Sequence, residues 1–206
     1  MRTLVIDCAT DACSVALFDK GALLAGDYRV LGRGHAESLL PMIAALPGKG
    51  RADRIAVSLG PGSFTGVRVG IAAARALGLA WKIEVLGYPT LALIAAQGRA
   101  GCGDVPFTAA MTGGHGEWFV QHFEAAGDPV ATLASLTPEV AARTVQNEHI
   151  AGNQAQALVH LRGHGAAHSL LPDARQFSLL PHHLLTSAIA PIYGRAPDAR
   201  LPGSPA

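Results

Sequence analysis

The chain has 206 residues, half of them hydrophobic and only 15% charged, and its sixteen basic and fifteen acidic side chains leave a formal net charge of +1. That balance gives no long-range pull towards nucleic acid, so if RNA is involved something else must supply most of the positive field. Low charge with abundant Ala and Gly points to apolar surface covered by a partner, although a well-buried monomer has the same composition.

The opening run RTLVIDCA reads as a β-strand, with Leu4, Ile6 and Cys8 on one face and Val5 and Asp7 on the other. CSVALFDKGALLAGDYRVL gives two more strands around a turn at Asp19-Lys20-Gly21, making an antiparallel meander. In HAESLLPMIAAL, Leu39, Leu40, Ile43 and Leu46 follow helical spacing, and Pro41 requires either a kink or a late first turn. RIAVSLG is a buried strand, FTGVRVGIAAARALGLAW a helix, IEVLGYP a strand and TLALIAAQ a short helix. A glycine-dense stretch at 98–106 marks a boundary between an expected first lobe (1–103) and second lobe (104–192). The second half echoes the first. FTAAMTGG, EWFVQHFE and VATLASL are strands, TPEVAARTV a helix with Thr137 as N-cap and Pro138 at its first position, HIAGN a strand and QAQALVHLRG a helix. A Pro- and Gly-rich tail (193–206) is expected to be partly disordered. Two strand-helix units of the same order imply an α/β duplication with a cleft between its halves.

The segment GPGSFTGVRVGIAAARALG (60–78) resembles a phosphate loop and fails both templates. Walker A needs Lys-Ser where Val67-Arg68 stands, and the spacing Gly60-x-Gly62-xxx-Gly66 misses GxGxxG by one residue. A tight turn with Ser63 as helix cap explains the glycines instead. Along the helix, Gly66, Gly70, Ala73, Ala74 and Leu77 form one stripe, with Arg68, Ala72, Arg75 and Leu79 opposite. Such a small-residue seam must meet something flat, either this chain's own sheet or another subunit. In DCATDACS (7–14), Asp7 and Thr10 are the residues with chemistry for a metal-phosphate. The hairpin lacks the glycines that let backbone amides approach phosphate, Asp11 would repel the anion, and an Asx turn at Asp11 is the expectation.

Cys8, Cys13 and Cys102 show no CxxC spacing, which argues against a disulfide frame or zinc site, and Cys8 is expected to be a small buried hydrophobe. His160, His164 and His168 recur every fourth residue, but Gly163 and Gly165 weaken the helix that would align them and no acid or cysteine sits at ligand spacing, so no metal is expected. His35 is expected to cap or pack a helix start. No GxSxG elbow or other catalytic set is present. The N-terminus is too short in apolar residues for a signal peptide, and residues 69–81 are interrupted by Arg75 and too short for a bilayer, so a cytosolic chain without membrane contact is expected.

LVIDCATDACSVAL, HAESLLPMI, GPGSFTGVRVGIAAARALG and PIYGRAPDA together resemble the TsaB (YeaZ) family, strongly over 1–98, weakly over 99–190 and again at 191–199. The resemblance implies two RNase H-like lobes of the actin, Hsp70 and sugar-kinase superfamily, the second abbreviated. It implies a non-catalytic scaffold for threonylcarbamoyl transfer to N6 of adenosine 37 in tRNA, working with a catalytic TsaD-like subunit and a TsaE-like ATPase and meeting tRNA only through the complex. A homodimer is implied when the chain is alone, and ATP or ADP only in the assembled complex. The TsaD-like partner holds its metal with an HxxxH pair, and here His35 is followed four residues on by Leu39, which cannot ligate. The implied partner face comprises His35, Leu39, Leu40, Ile43, Ser63, Phe64, Thr65, Gly66, Val67, Gly70, Ala73, Ala74 and Leu77. Where the family carries an IDARRGEVY-like run, AMTGGHGEWFV offers Thr112, Gly114 and His115, matching only at Glu117. The alternatives are a metal-dependent glycoprotease-like peptidase, which needs a bound metal, and an ATP-binding kinase, which needs a phosphate hairpin.

Overall fold

A computed structural model describes residues 1–194; the remainder of the expected tail lies outside the described residues. The first sheet combines the antiparallel meander β1 (Arg2–Asp7), β2 (Ala12–Asp19) and β3 (Ala22–Val30) with the parallel strands β4 (Arg54–Ser58) and β5 (Glu84–Tyr88), in the order β3-β2-β1-β4-β5. Alternation along β1 decides what lies on each face. Leu4 and Ile6 bury against the helices α1 (His35–Ala45) and α2 (Phe64–Trp81), while Val5 faces α3 (Thr90–Arg99) on the other side. α1 begins at His35 and runs through Pro41, which is exposed, so a lost backbone hydrogen bond there is met by water.

The second sheet repeats this plan. It contains β6 (Phe107–Thr112), β7 (Trp118–Phe123), β8 (Ala134–Leu136), β9 (His149–Ala151) and β10 (Ala166–His168), in the order β10-β9-β6-β7-β8. β6 thus stands where β1 stands, with an antiparallel meander on one side and parallel strands on the other. The helices α4 (Pro138–Thr144) and α5 (Ala155–Arg162) cover one face of this sheet through Ala141, Ala155 and Leu158. Thr137 caps α4 by accepting the Val140 N–H at 3.4 Å. The sequence reading missed β10, which is three residues long.

α3 lies between the two sheets. Its Leu91, Leu93 and Ile94 share one core with Val5 and Ala56 of the first sheet and Phe107, Ala109 and Met111 of the second. Residues 173–192, grouped by sequence with the second half, run back across the first sheet. Ala174 N–H donates to Ser14 Oγ at 2.9 Å, Phe177 packs against Phe18 and Tyr88, Thr186 bridges Gly87, and Ile192 N–H donates to the Leu59 carbonyl at 2.7 Å. Among the described residues no helix is long and apolar enough to cross a membrane.

Candidate partner-binding face and interlobe cleft

The glycine loop before α2 holds this chain's own backbone. Ser63 N–H donates to the Ala9 carbonyl at 2.7 Å, and Ser63 Oγ accepts the Gly66 N–H at 3.1 Å as the helix cap. A Cβ on Gly62 would run into the Ala9 carbonyl oxygen, and one on Gly66 into that of Cys8. Those glycines let the loop and helix lie against the β1–β2 turn, so carbonyl oxygens of the turn meet the loop where a phosphate reading would place an anion.

The small-residue seam continues along the sheet. A Cβ on Gly70 would sit 3.6 Å from the Cys8 and Val57 side chains, Ala74 is fully buried, and Gly78 faces Val85. The seam is therefore an intramolecular contact, which corrects the placement of Gly66, Val67, Gly70 and Ala74 on a partner face. His35, Leu39 and Ile43 are likewise buried. His35 Nε2 donates to the Thr10 carbonyl at 2.8 Å, with the Ala12 carbonyl at 3.3 Å, tying the start of α1 to the β1–β2 turn. Leu39 is 1% exposed among core residues because it points into the sheet.

The remaining residues of the expected face stay accessible. Phe64 is 70% and Leu40 54% exposed, Ser63 and Thr65 are exposed, and Ala73 and Leu77 are half-buried. The sequence reading set Ala72 and Leu79 opposite the seam without assigning them to a partner; with Ala76 and Ala80 they form the exposed outer stripe of α2, Leu79 being 82% exposed. The signal was present, since apart from the Trp81 indole only Thr65, Arg68 and Arg75 interrupt an apolar helix of 18 residues. A helix apolar on all sides needs cover on all sides, and the sheet covers one.

Asp7 and Thr10 do not form a phosphate site. Asp7 is fully buried, accepting the Ala9 N–H and the Tyr88 hydroxyl, each at 3.0 Å, and burial raises its pKa to about 6. Thr10 Oγ1 accepts the Ala12 N–H at 3.2 Å, so Thr10 rather than Asp11 makes the side-chain turn contact there; the Asp11 carbonyl receives the N–H groups of Leu31 and Gly32.

A cleft of about 700 Å³ opens between the lobes, lined by Thr10, Asp11, Ser63, Phe64 and Arg68 on one side and by Met111, Thr112, His115, Phe119 and Asn153 on the other. Arg68 is held at its mouth, donating to the Phe64 carbonyl at 2.8 Å and the Tyr193 hydroxyl at 2.9 Å, with its guanidinium 3.3 Å from the Phe64 ring centroid. Thr112 Oγ1 accepts from Asn153 Nδ2 and Gln154 Nε2, and Glu117 accepts from Ser135 Oγ. Thr112 thus meets neutral amides at the position where the resemblance expects a charged residue.

The histidines group differently from their spacing. His160 and His164 are exposed, whereas His168 on β10 lies beside His149 on β9 and Cys102.

A family model described as "TsaD: tRNA N6-adenosine threonylcarbamoyltransferase" matches residues 29–180. The tRNA threonylcarbamoyladenosine biosynthesis protein TsaB of Escherichia coli is 34% identical over 155 residues, 71% of this chain and 67% of that protein. The chain belongs to the TsaB (YeaZ) family. A Haemophilus influenzae TsaB is 36% identical over 46% of this chain and 42% of its own length, so that match spans under half of the relative. The solved structure of YeaZ from Pseudomonas aeruginosa superposes with a TM-score of 0.77 at 28% identity, covering 93% of this chain and 99% of that one. The ethanolamine utilization protein EutJ from Carboxydothermus hydrogenoformans, at 11% identity and a TM-score of 0.50 over 88% of this chain and 90% of its own, shares the two-lobed α/β fold.

Proposed function

We propose that this TsaB-family chain acts in tRNA threonylcarbamoyladenosine biosynthesis as a non-catalytic scaffold that pairs with a TsaD-like catalytic subunit through the outer faces of α1 and α2. The observation carrying the pairing is the second apolar face of α2, with Leu79, Phe64 and the neighbouring Leu40 exposed beside a row of alanines. His35 and Leu39 support the non-catalytic part, since one is committed to backbone carbonyls and the other belongs to the core. The TsaD-like partner supplies the chemistry, a TsaE-like ATPase joins the pair, tRNA is met through the complex, and the work is cytoplasmic. ATP or ADP enters only in the assembled complex, and without its partner the chain closes the same face as a homodimer.

Co-expression with the TsaD-like subunit tests this. Leu40→Glu with Leu79→Glu is expected to lower co-purification at least tenfold and to reduce threonylcarbamoyladenosine in tRNA. Val130→Glu, at another exposed apolar position, should change neither. Pairing of unchanged affinity in the double variant would remove α1 and α2 as the interface.

A further inference from the structure

The second lobe gathers three metal-ligating side chains that are far apart in sequence. β9 and β10 are parallel neighbours with Ala166 opposite His149 and His168 opposite Ala151, so the two histidines lie diagonally on one face at the sheet edge. His149 Nδ1 lies 3.1 Å from His168 Nε2. Cys102, in the connector after α3, brings its thiol sulfur to 3.8 Å from the same His168 nitrogen, and the three donor atoms all lie within 4.8 Å of one another. Phe107 packs against both rings with centroids 5.1 Å away, restraining their planes.

These separations can be compared with an ion's demands. Bonds of roughly 2.0–2.1 Å to nitrogen and about 2.3 Å to sulfur at tetrahedral angles place two nitrogens about 3.3 Å apart and nitrogen and sulfur about 3.6 Å apart. The observed 3.1 and 3.8 Å fall within a few tenths of those values. The remaining edge, between the Cys102 sulfur and a His149 nitrogen, is at most 4.8 Å and has to shorten towards about 3.6 Å when an ion binds. Two imidazoles with one thiolate form a borderline-soft set that suits zinc rather than magnesium or calcium.

We infer that Cys102, His149 and His168 form a three-ligand site for a zinc-class divalent cation, which pins the interlobe connector to the β9–β10 edge and leaves one coordination position for water. On binding, the thiol proton passes to solvent. His149 then carries its proton on Nε2 and His168 on Nδ1, freeing the two facing lone pairs that one hydrogen bond otherwise occupies.

The test uses the tag-free, reduced, full-length chain, stripped of metal and titrated with cobalt(II) chloride. One equivalent is expected to produce a thiolate-to-cobalt charge-transfer band and tetrahedral visible bands, both displaced by zinc chloride. Cys102→Ser should abolish the charge-transfer band, and His168→Gln should weaken binding at least tenfold, with circular dichroism confirming that both variants fold. In the unaltered chain, zinc should also slow iodoacetamide alkylation of Cys102 at least tenfold, a readout that needs no variant. Absence of the charge-transfer band, its persistence in Cys102→Ser, or unprotected Cys102 at saturating zinc would each overturn the site.

Discussion

Asp7 shows how one residue type can suggest chemistry and serve architecture. Its place at the end of β1 suits a metal-phosphate ligand, yet the carboxyl is fully buried and both oxygens are engaged by Ala9 and Tyr88. Burial raises its pKa from 3.8 to about 6, so in the folded protein the acid keeps its proton up to about that pH. Between those values the native state binds more protons than the unfolded chain, and stability falls as pH rises through about 6. At 1.36 kcal/mol per unit, ionising the carboxyl costs roughly 3 kcal/mol at neutral pH. Asp7→Asn keeps an acceptor for the Ala9 N–H and removes that cost. It is expected to unfold at a higher temperature than the parent at pH 7.5, with the advantage fading by pH 4. Thermal melts at successive pH values check this, and an advantage that grew on acidification would refute the assignment.

At the scale of elements, α2 is the informative one, because its two faces make opposite demands. The inner face needs glycine at Gly66, where a Cβ meets the Cys8 carbonyl, but not at Gly70, where the same atom would find ordinary contacts at 3.6 Å or more. Gly66→Ala should therefore lift the helix from the sheet and cost about 3 kcal/mol. Gly70→Ala should be neutral or stabilise by up to about 1 kcal/mol through helix propensity. Urea melts of the two variants distinguish them, and equal effects would mean that the seam does not sit as described. A charge at Gly70 would enter this chain's core, so the partner face has to be probed from the outer stripe at Leu79. The limits of α2 were legible in the sequence because Ser63 caps it and its run is apolar but for Thr65, Arg68 and Arg75. Which face met the sheet was not legible, since a helix apolar all round has no preferred inside. β10 and the Cys102–His149–His168 cluster were hidden for another reason. β10 is only three residues long, and the cluster joins a connector residue to a strand 66 residues further on, which leaves no local spacing to read.

Over the whole molecule, the two halves copy each other in topology, each with a core under its outer helices, and a third core joins them. Tyr88 from the first sheet, Leu91 from α3, Phe107 and Phe123 from the second sheet and Phe177 from the returning segment belong to one apolar cluster. That segment also fastens itself to the first sheet through the Gly87–Thr186 bridge and through Arg175, which is ion-paired with Asp173 and lies 5.2 Å from the Tyr28 ring centroid. Unfolding one half would expose the shared core of the other, so a single cooperative transition is expected. Trp81 at the end of α2 and Trp118 on β7 are the reporters, one for each half. In single-tryptophan variants, Trp81→Phe and Trp118→Phe, fluorescence should give coincident urea midpoints within each protein when compared with circular dichroism. Phe177→Ala, introduced into either background, should lower both signals together by about 3–5 kcal/mol, the usual cost of emptying a buried aromatic site. If Phe177→Ala shifted the Trp81 transition and left that of Trp118 in place, the lobes would be independent units and the shared core would not couple them.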